Sequence, residues 1–459
     1  MHTLVVNANI VTGDGKTILE NRSIVIEEEL IDSIRTNPCP LYDNASRIVD
    51  AAGGLVIPGL IDSHDHAVTT GPFPCDVALP GLPKDRVTWR LNKYLLEGVT
   101  TIVNQDGFST MEEVAEARSL TPMLVQTLSL HMPIHLKRAR VFSCGGLKEE
   151  HYRTTIEEMI KQGALGIGEV GALGIPAPKT GQTPDLSYSY GLFIPLMVQN
   201  ETGYSITLED GVALGSALFA RPPDEKALSA LTKKLGISAA KNKLKEFAEC
   251  AVENAWLTIE ANREAAAYAG KLGVPLDFHS SPQTKEQVIE FARELKELFR
   301  AGHSDFLYEP GEAIEVARAV KKAGGWTDIM CGNFFRSREA GTPPNRKNHI
   351  TALALLEEGL VDILENDSAT RYWGDSMLRV LEYYIDQRVI DLPQAIAMVT
   401  KNPTNAIPNI APNRGEISKG KIADLVVLDR GSISQVNTVL IKGKVVVDEG
   451  RIIYTQPNT

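Results

Sequence analysis

The chain has 459 residues, enough to bury a sizeable core, and its 43 % hydrophobic and 23 % charged residues exclude disordered and collagen-like classes. Lys plus Arg number 47 against 58 for Asp plus Glu, a formal charge of −11 and the wrong sign for a phosphate-backbone binder, so no nucleic-acid partner is expected. The five scattered cysteines (Cys39, Cys75, Cys144, Cys250, Cys331) form no C-x-x-C pair, no export signal opens the chain, and no apolar run reaches membrane-spanning length, which together predict a cytoplasmic protein with no membrane partner.

Residues 1 to about 55 alternate short apolar runs, such as Leu4-Val5-Val6 and Ser23-Ile24-Val25-Ile26, with turns such as Gly13-Asp14-Gly15. The C-terminal stretch repeats this pattern in Leu425-Val426-Val427-Leu428, Val439-Leu440-Ile441 and Val445-Val446-Val447. Neither end holds enough strands for a core of its own. The two are therefore expected to combine into one small composite β domain, residues 1–56 with 405–459, around an inserted central region, 57–404.

In that central region short apolar strands alternate with longer helical patterns, which predicts βα units on a parallel sheet. The candidates are Leu55 to Ile61, Val99 to Asn104, Met123 to Leu128, Leu165 to Val170, Val274 to His279, a short one near His303, Thr327 to Cys331 and Val361 to Asn366. Eight such strands predict an α/β fold with a (β/α)₈ TIM barrel, whose catalytic residues would stand at the C-terminal strand ends. The stretch from Val170 to His279 is longer than one crossover needs. Its excess reads as an insertion at about 171–260, Pro-, Gly- and Tyr-rich at first and helical from Asp224 to Gly270, serving as an elaborated loop, a lid or a contact in a homo-oligomer.

The strand ends carry the chemistry. His64 and His66 stand at i and i+2 after an apolar run, so both imidazoles can face one ion from a rigid base. Glu169 closes the fourth strand within a G-x-G-x-x-G match, but no helix follows it and a carboxylate there would repel a pyrophosphate, so a metal ligand is the better reading. His279 closes the fifth strand. His303 follows a segment that reads partly as continuing helix, and Cys331, closing the next strand, is the alternative ligand. Asp367 ends the eighth strand, where a carboxylate could bind metal and accept a proton or, more plainly, cap a helix. His-plus-carboxylate sets favour one or two divalent transition ions, zinc first and iron or manganese next, over Mg²⁺ or Ca²⁺.

The spacing of His131 and His135 fails the H-E-x-x-H pattern because Pro133 intervenes, though His131 could touch substrate. Arg336 and Arg338 follow the seventh strand and Arg371 the eighth, so they could hold an anionic substrate or simply be solvated. His2, His151 and His349 read as surface residues.

Pro58-Gly59-Leu60-Ile61-Asp62-Ser63-His64-Asp65-His66, Gly98-Val99-Thr100-Thr101, Asp367 and the closing Gly415 to Leu428 segment together resemble the amidohydrolase superfamily, along nearly the whole chain. The resemblance implies a metal-bearing barrel with a β-sandwich from both chain ends. It also implies His64, His66, His279, His303 and Asp367 as ligands, Glu169 as a bridge between two ions, and Asp367 as a proton shuttle. Glu169 in place of a strand-four lysine is similar to enamidase and other cyclic-amide hydrolases, which implies hydrolysis of a small cyclic amide. Related deaminases tend to carry a glutamate three residues before or after the strand-five histidine, where this chain has Leu276 and Pro282, so deamination is the second expectation. A metal-free scaffold protein is the third.

Overall fold

The computed structural model describes residues 2–41, 45–75, 78–142, 145–172, 194–220, 222–332, 346–368 and 375–454. Five strands open the chain: β1 (His2–Val11), β2 (Ile18–Glu27), β3 (Leu30–Thr36), β4 (Ala45–Asp50) and β5 (Leu55–Pro58). Eight follow in the middle: β6 (Leu60–Asp65), β7 (Val99–Asn104), β8 (Leu124–Thr127), β9 (Ile167–Val170), β10 (Leu276–His279), β11 (Phe299–Gly302), β12 (Trp326–Met330) and β13 (Ile363–Glu365). Four close it: β14 (Leu425–Leu428), β15 (Val436–Ile441), β16 (Lys444–Asp448) and β17 (Arg451–Ile452).

The two chain ends share one nine-stranded sheet, in the order β17-β16-β15-β14-β5-β1-β2-β3 with β4 beside β1. The junction is β5, parallel to β1 and antiparallel to β14. Alternating positions supply its core, where Val5, Ile10, Ile24 and Ile26 pack with Val56, Leu425, Val427 and Leu440.

The apolar run Leu55 to Ile61, expected as a single strand, is divided. Its first half pairs in the terminal sheet and its second half, β6, pairs with β7. The division falls at Pro58-Gly59, where proline offers no N–H and a Cβ on Gly59 would lie 2.2 Å from the Thr100 hydroxyl oxygen. The chain thus passes from one sheet to the next in a single residue.

The eight middle strands are parallel, in a three-stranded sheet β6-β7-β8 and a five-stranded sheet β13-β12-β11-β10-β9. Among the described residues, regular ladders do not join the two sheets into one closed barrel. Backbone bonds outside the ladders connect them: at one seam Leu165 N donates to Thr127 O at 2.9 Å and Ser129 N to Gly166 O at 3.0 Å, and at the other Asp367 N donates to His64 O at 3.0 Å. Strand β11 is short because the preceding helix stops at Leu295 and a 3₁₀ turn, Lys296–Leu298, intervenes.

Between β9 and β10 the described residues form four helices: α1 (Ile194–Thr202), α2 (Leu208–Phe219), α3 (Glu225–Lys234) and α4 (Lys241–Leu272). They have a core of their own, in which Ile194, Leu214, Leu218, Leu228, Leu244 and Phe247 pack together. Helix α4 serves two modules. Its first turns lie in that core, while Ala265, Ala266 and Ala269 pack in the main core with Phe291 and Leu295. The insertion core also takes in Ala67, Phe73 and Leu79, from the segment after β6. No described helix is long and apolar enough to cross a membrane.

Candidate active site

Parallel strands place all their C-terminal ends on one side, and there the candidate donors gather. Glu169 lies at the centre. Its Oε2 is 3.5 Å from His64 Nε2 and 3.3 Å from His66 Nε2, while its Oε1 is 2.5 Å from His279 Nδ1 and 3.3 Å from His303 Nε2. Asp367 repeats the division, with Oδ1 3.4 Å from His66 Nε2 and Oδ2 3.8 Å from His303 Nε2. Two carboxylates therefore each span two sets of imidazole nitrogens. The side chain of Asp367 is 17 % exposed and that of His279 12 %, whereas His64, His66, Glu169 and His303 lie between 0 and 4 %. The site accordingly opens on the Asp367 and His279 side.

Each buried imidazole is oriented from behind. His64 Nδ1 lies 3.2 Å from Asp277 Oδ2, His66 Nδ1 2.9 Å from Asp106 Oδ1, and His303 Nδ1 2.9 Å from Glu365 Oε1. Such carboxylate partners fix the ring and leave Nε2 for the pocket. Arg300, at 2 % exposure, ties this layer together by pairing with Asp277, with Glu365 at 3.1 Å and with Asp328 at 3.0 Å. Gln105 also donates to Asp277, and Arg90 donates to the backbone oxygens of His66 and Ser368. Gly168 makes room beneath Glu169, because a Cβ there would stand 2.8 Å from the Asp277 Cβ. His303 and Asp367 adopt left-handed backbone, φ +56° and +49°. Such strain gathers where surrounding structure dictates a side chain's aim.

The electrostatics are those of a cation-seeking pocket. Burial disfavours a charged His64, yet Glu365, Asp277 and Glu169 outweigh it and push the imidazole up to about 10. His66 and His303 likewise rise well above the usual histidine range against burial, through Asp106 and Asp367 for the one and chiefly Asp367 for the other. Burial opposes ionisation of Glu169 too, but His64 and His279 hold it well below the usual carboxylate range. Asp367 is held down by His303 and His66 against the same penalty. The surrounding carboxylates thus favour positive charge at His64, His66 and His303.

All six expected ligands, His64, His66, Glu169, His279, His303 and Asp367, come together. Cys331 does not join any candidate donor group among the described residues, and burial pushes its thiol well up. His131 is buried with Nδ1 2.9 Å from Ser129 Oγ, and it lines a separate cavity of about 440 Å³ with Leu136, Arg140, Tyr152 and Tyr268. Arg336, Arg338 and Arg371 lie outside the described residues. The expectation that His151 is a surface residue fails: it is fully buried, accepting from Lys148 N through Nδ1 and facing Glu113 through Nε2. The five-residue helix Glu149–Arg153 turns it inward, an orientation too short a segment to show periodicity. His349 is half-buried, stacked on Tyr384 at 5.8 Å.

The supporting layer escaped sequence reasoning, although it had a signal: Asp277, Arg300, Asp328 and Glu365 are charges inside short apolar strands. Asp277 and His279, two apart, share a strand face, as do Glu365 and Asp367 in sequence spacing. Cys75 had no signal. It follows β6 by ten residues, and its Sγ donates to Glu169 Oε2 at 3.3 Å.

Residues 55–446 match the amidohydrolase family. The chain is similar to imidazolonepropionase of Clostridium tetani, 23 % identical over 447 residues and covering 95 % of this chain and 91 % of that protein. It also resembles enamidase of Eubacterium barkeri, 30 % identical over 176 residues, 37 % of this chain and 42 % of that one. Shorter matches, enamidase among them, span 28–42 % of the proteins matched. In fold, the β-aspartyl dipeptidase of Fervidobacterium islandicum superposes with a TM-score of 0.58 at 16 % identity, over 99 % of each chain. With the family match running through both the terminal sheet and the strand-end site, the protein belongs to the amidohydrolase family.

Proposed function

We propose that the protein is a metal-dependent hydrolase of a carbon–nitrogen bond in a small cyclic amide. The observation that carries this reading is the division of Glu169, one oxygen facing His64 and His66 and the other His279 and His303. A carboxylate that would hold two ions presents one oxygen to each imidazole pair in this way. The residues fit such ions: His64 Nε2 is fully buried, makes no hydrogen bond and points at Glu169, and the pocket's carboxylates compensate added positive charge. His64, His66, Glu169, His279, His303 and Asp367 would hold one or two divalent transition ions, zinc before iron or manganese. Such an ion, when bound, supplies Lewis acidity toward the substrate carbonyl and makes water a better nucleophile.

Asp367 is the chain's own acid–base group. Ionised and at the open side, it takes the proton of the attacking water and returns it to the leaving nitrogen, one carboxylate acting in both directions. Closure of the eight parallel strands into a (β/α)₈ barrel, within a composite β-sandwich of residues 1–56 and 405–459, is the architecture we assign to 57–404. Within the insertion at about 171–260, the described helices pack on the segment after β6. His131, Arg336 and Arg371 are assigned to substrate. A cytoplasmic homo-oligomer acting on a small molecule completes the reading.

The similarity to enamidase and to imidazolonepropionase favours cyclic amides over open ones. A screen of lactams, hydantoins and acyl-amino acids tests this, with Asp367→Asn alongside. The variant is expected to lose about 10²–10⁴-fold in kcat on the best substrate. Undiminished turnover would remove Asp367 as the shuttle.

A further inference from the structure

A third kind of donor reaches the centre from outside the strands. Phe73 and Leu79 exchange both backbone hydrogen bonds, Leu79 N to Phe73 O at 2.7 Å and the reverse at 3.2 Å, closing a small hairpin that carries Cys75. The hairpin is fixed from two sides. Phe73 and Leu79 are sealed into the insertion core, and Gly146 N donates to Ala78 O at 2.9 Å, with a Cβ on Gly146 only 2.2 Å from Leu79 O. Cys75 itself adopts left-handed backbone, φ +37°, and is 4 % exposed.

Its Sγ stands 3.3 Å from Glu169 Oε2 and 3.8 Å from Gln105 O. One ligand atom each from Cys75, His66 and Glu169 lie within 4.8 Å of one another. The same Glu169 oxygen is approached at 3.5 Å by His64 Nε2, completely buried and without a hydrogen bond. A thiol that only needed a partner could donate to any carbonyl of the core. Here it is aimed at the carboxylate oxygen on which two imidazoles already converge.

The geometry points to Cys75 as a further metal ligand at the His64 and His66 position, turning that position into a sulfur, nitrogen and oxygen site. This rests on the metal-dependent reading above. Binding replaces the S–H bond by a sulfur–metal bond and releases the proton to solvent. A thiolate donor biases the position toward Zn²⁺ or Cd²⁺ and away from Mn²⁺. The insertion then acts on the centre through the hairpin it holds.

Cobalt substitution of the full-length protein separates the possibilities. Wild type loaded with Co²⁺ is expected to show a near-ultraviolet sulfur-to-cobalt charge-transfer band besides the visible d–d bands, and Cys75→Ser and Cys75→Ala should keep the d–d bands and lose the other. Cd²⁺ affinity by calorimetry should fall at least about tenfold in Cys75→Ser, since even outer partners of a ligand cost about 10–100-fold. Wild-type d–d bands without a sulfur band would overturn the role of Cys75 and leave the centre standing. Failure of the wild type to take up cobalt or cadmium at all would overturn both. Should the variants not fold, the wild-type spectrum alone decides.

Discussion

The centre is built by two regions of opposite character. Its floor is made of strand ends, where His64, His66, Glu169 and His279 project from parallel ladders and are braced by Asp277, Glu365 and Arg300. Its wall is the Phe73–Leu79 hairpin, held by apolar packing against helices inserted far along the chain. The floor owes its order to backbone pairing and buried charge. The wall owes its order to side-chain burial. The difference means that charge substitutions should damage the floor cooperatively, whereas cavity-forming substitutions in the insertion should loosen the wall alone.

The largest effect belongs to Arg300. It sits among Asp277, Asp328 and Glu365, and removing a buried cation leaves its partners uncompensated. Arg300→Met should cost about 3–5 kcal/mol by denaturant unfolding. An unchanged midpoint would show that the floor does not depend on this charge layer. Next is Leu214→Ala in the insertion core, where Leu214 is fully buried. Loss of roughly 2 kcal/mol or more is expected in that module. Proteolysis should then rise within residues 194–248 while the floor's amides stay protected from hydrogen exchange. Loss of protection in β6 and β10 at the same time would refute the separation. Smaller again is Asp277→Asn, which keeps shape and removes the charge behind His64. Metal affinity should fall about 10–100-fold, read by chelator competition.

The same two regions divide what the sequence discloses. Strand ends are legible because an apolar run stops at them: His64-Asp65-His66 and His279 announce themselves by position, and the terminal sheet by its alternating runs. The division of Leu55 to Ile61 between two sheets was harder to see, since both halves are apolar and Pro58-Gly59 marks a break without showing that the second half pairs in another sheet, where Gly59 meets Thr100. The wall was hidden for a different reason. Cys75 meets Glu169 across 94 residues through a hairpin whose order comes from residues 194–248, and no local pattern encodes a contact of that range.

Two histidines offer the finest test of the contrast, because neighbouring charge decides the protonation of His64 on the floor and burial decides that of His131. His64 is pushed up to about 10 by its carboxylates, but His131, behind Ser129 and Phe108, is driven down to about 3, first by burial and then by His151. Unfolding returns His131 to an ordinary value near 6.5, so below that pH the unfolded chain takes up a proton that the folded chain refuses. Its contribution to stability is complete above about pH 6.5 and is lost as pH falls toward 3, at most about 1.4 kcal/mol for each pH unit. His131→Asn should therefore flatten the acid limb of stability against pH, measured by urea unfolding between pH 7.5 and 4. If the variant and wild type lose stability in parallel there, desolvation of His131 is not what separates it from the histidines of the floor.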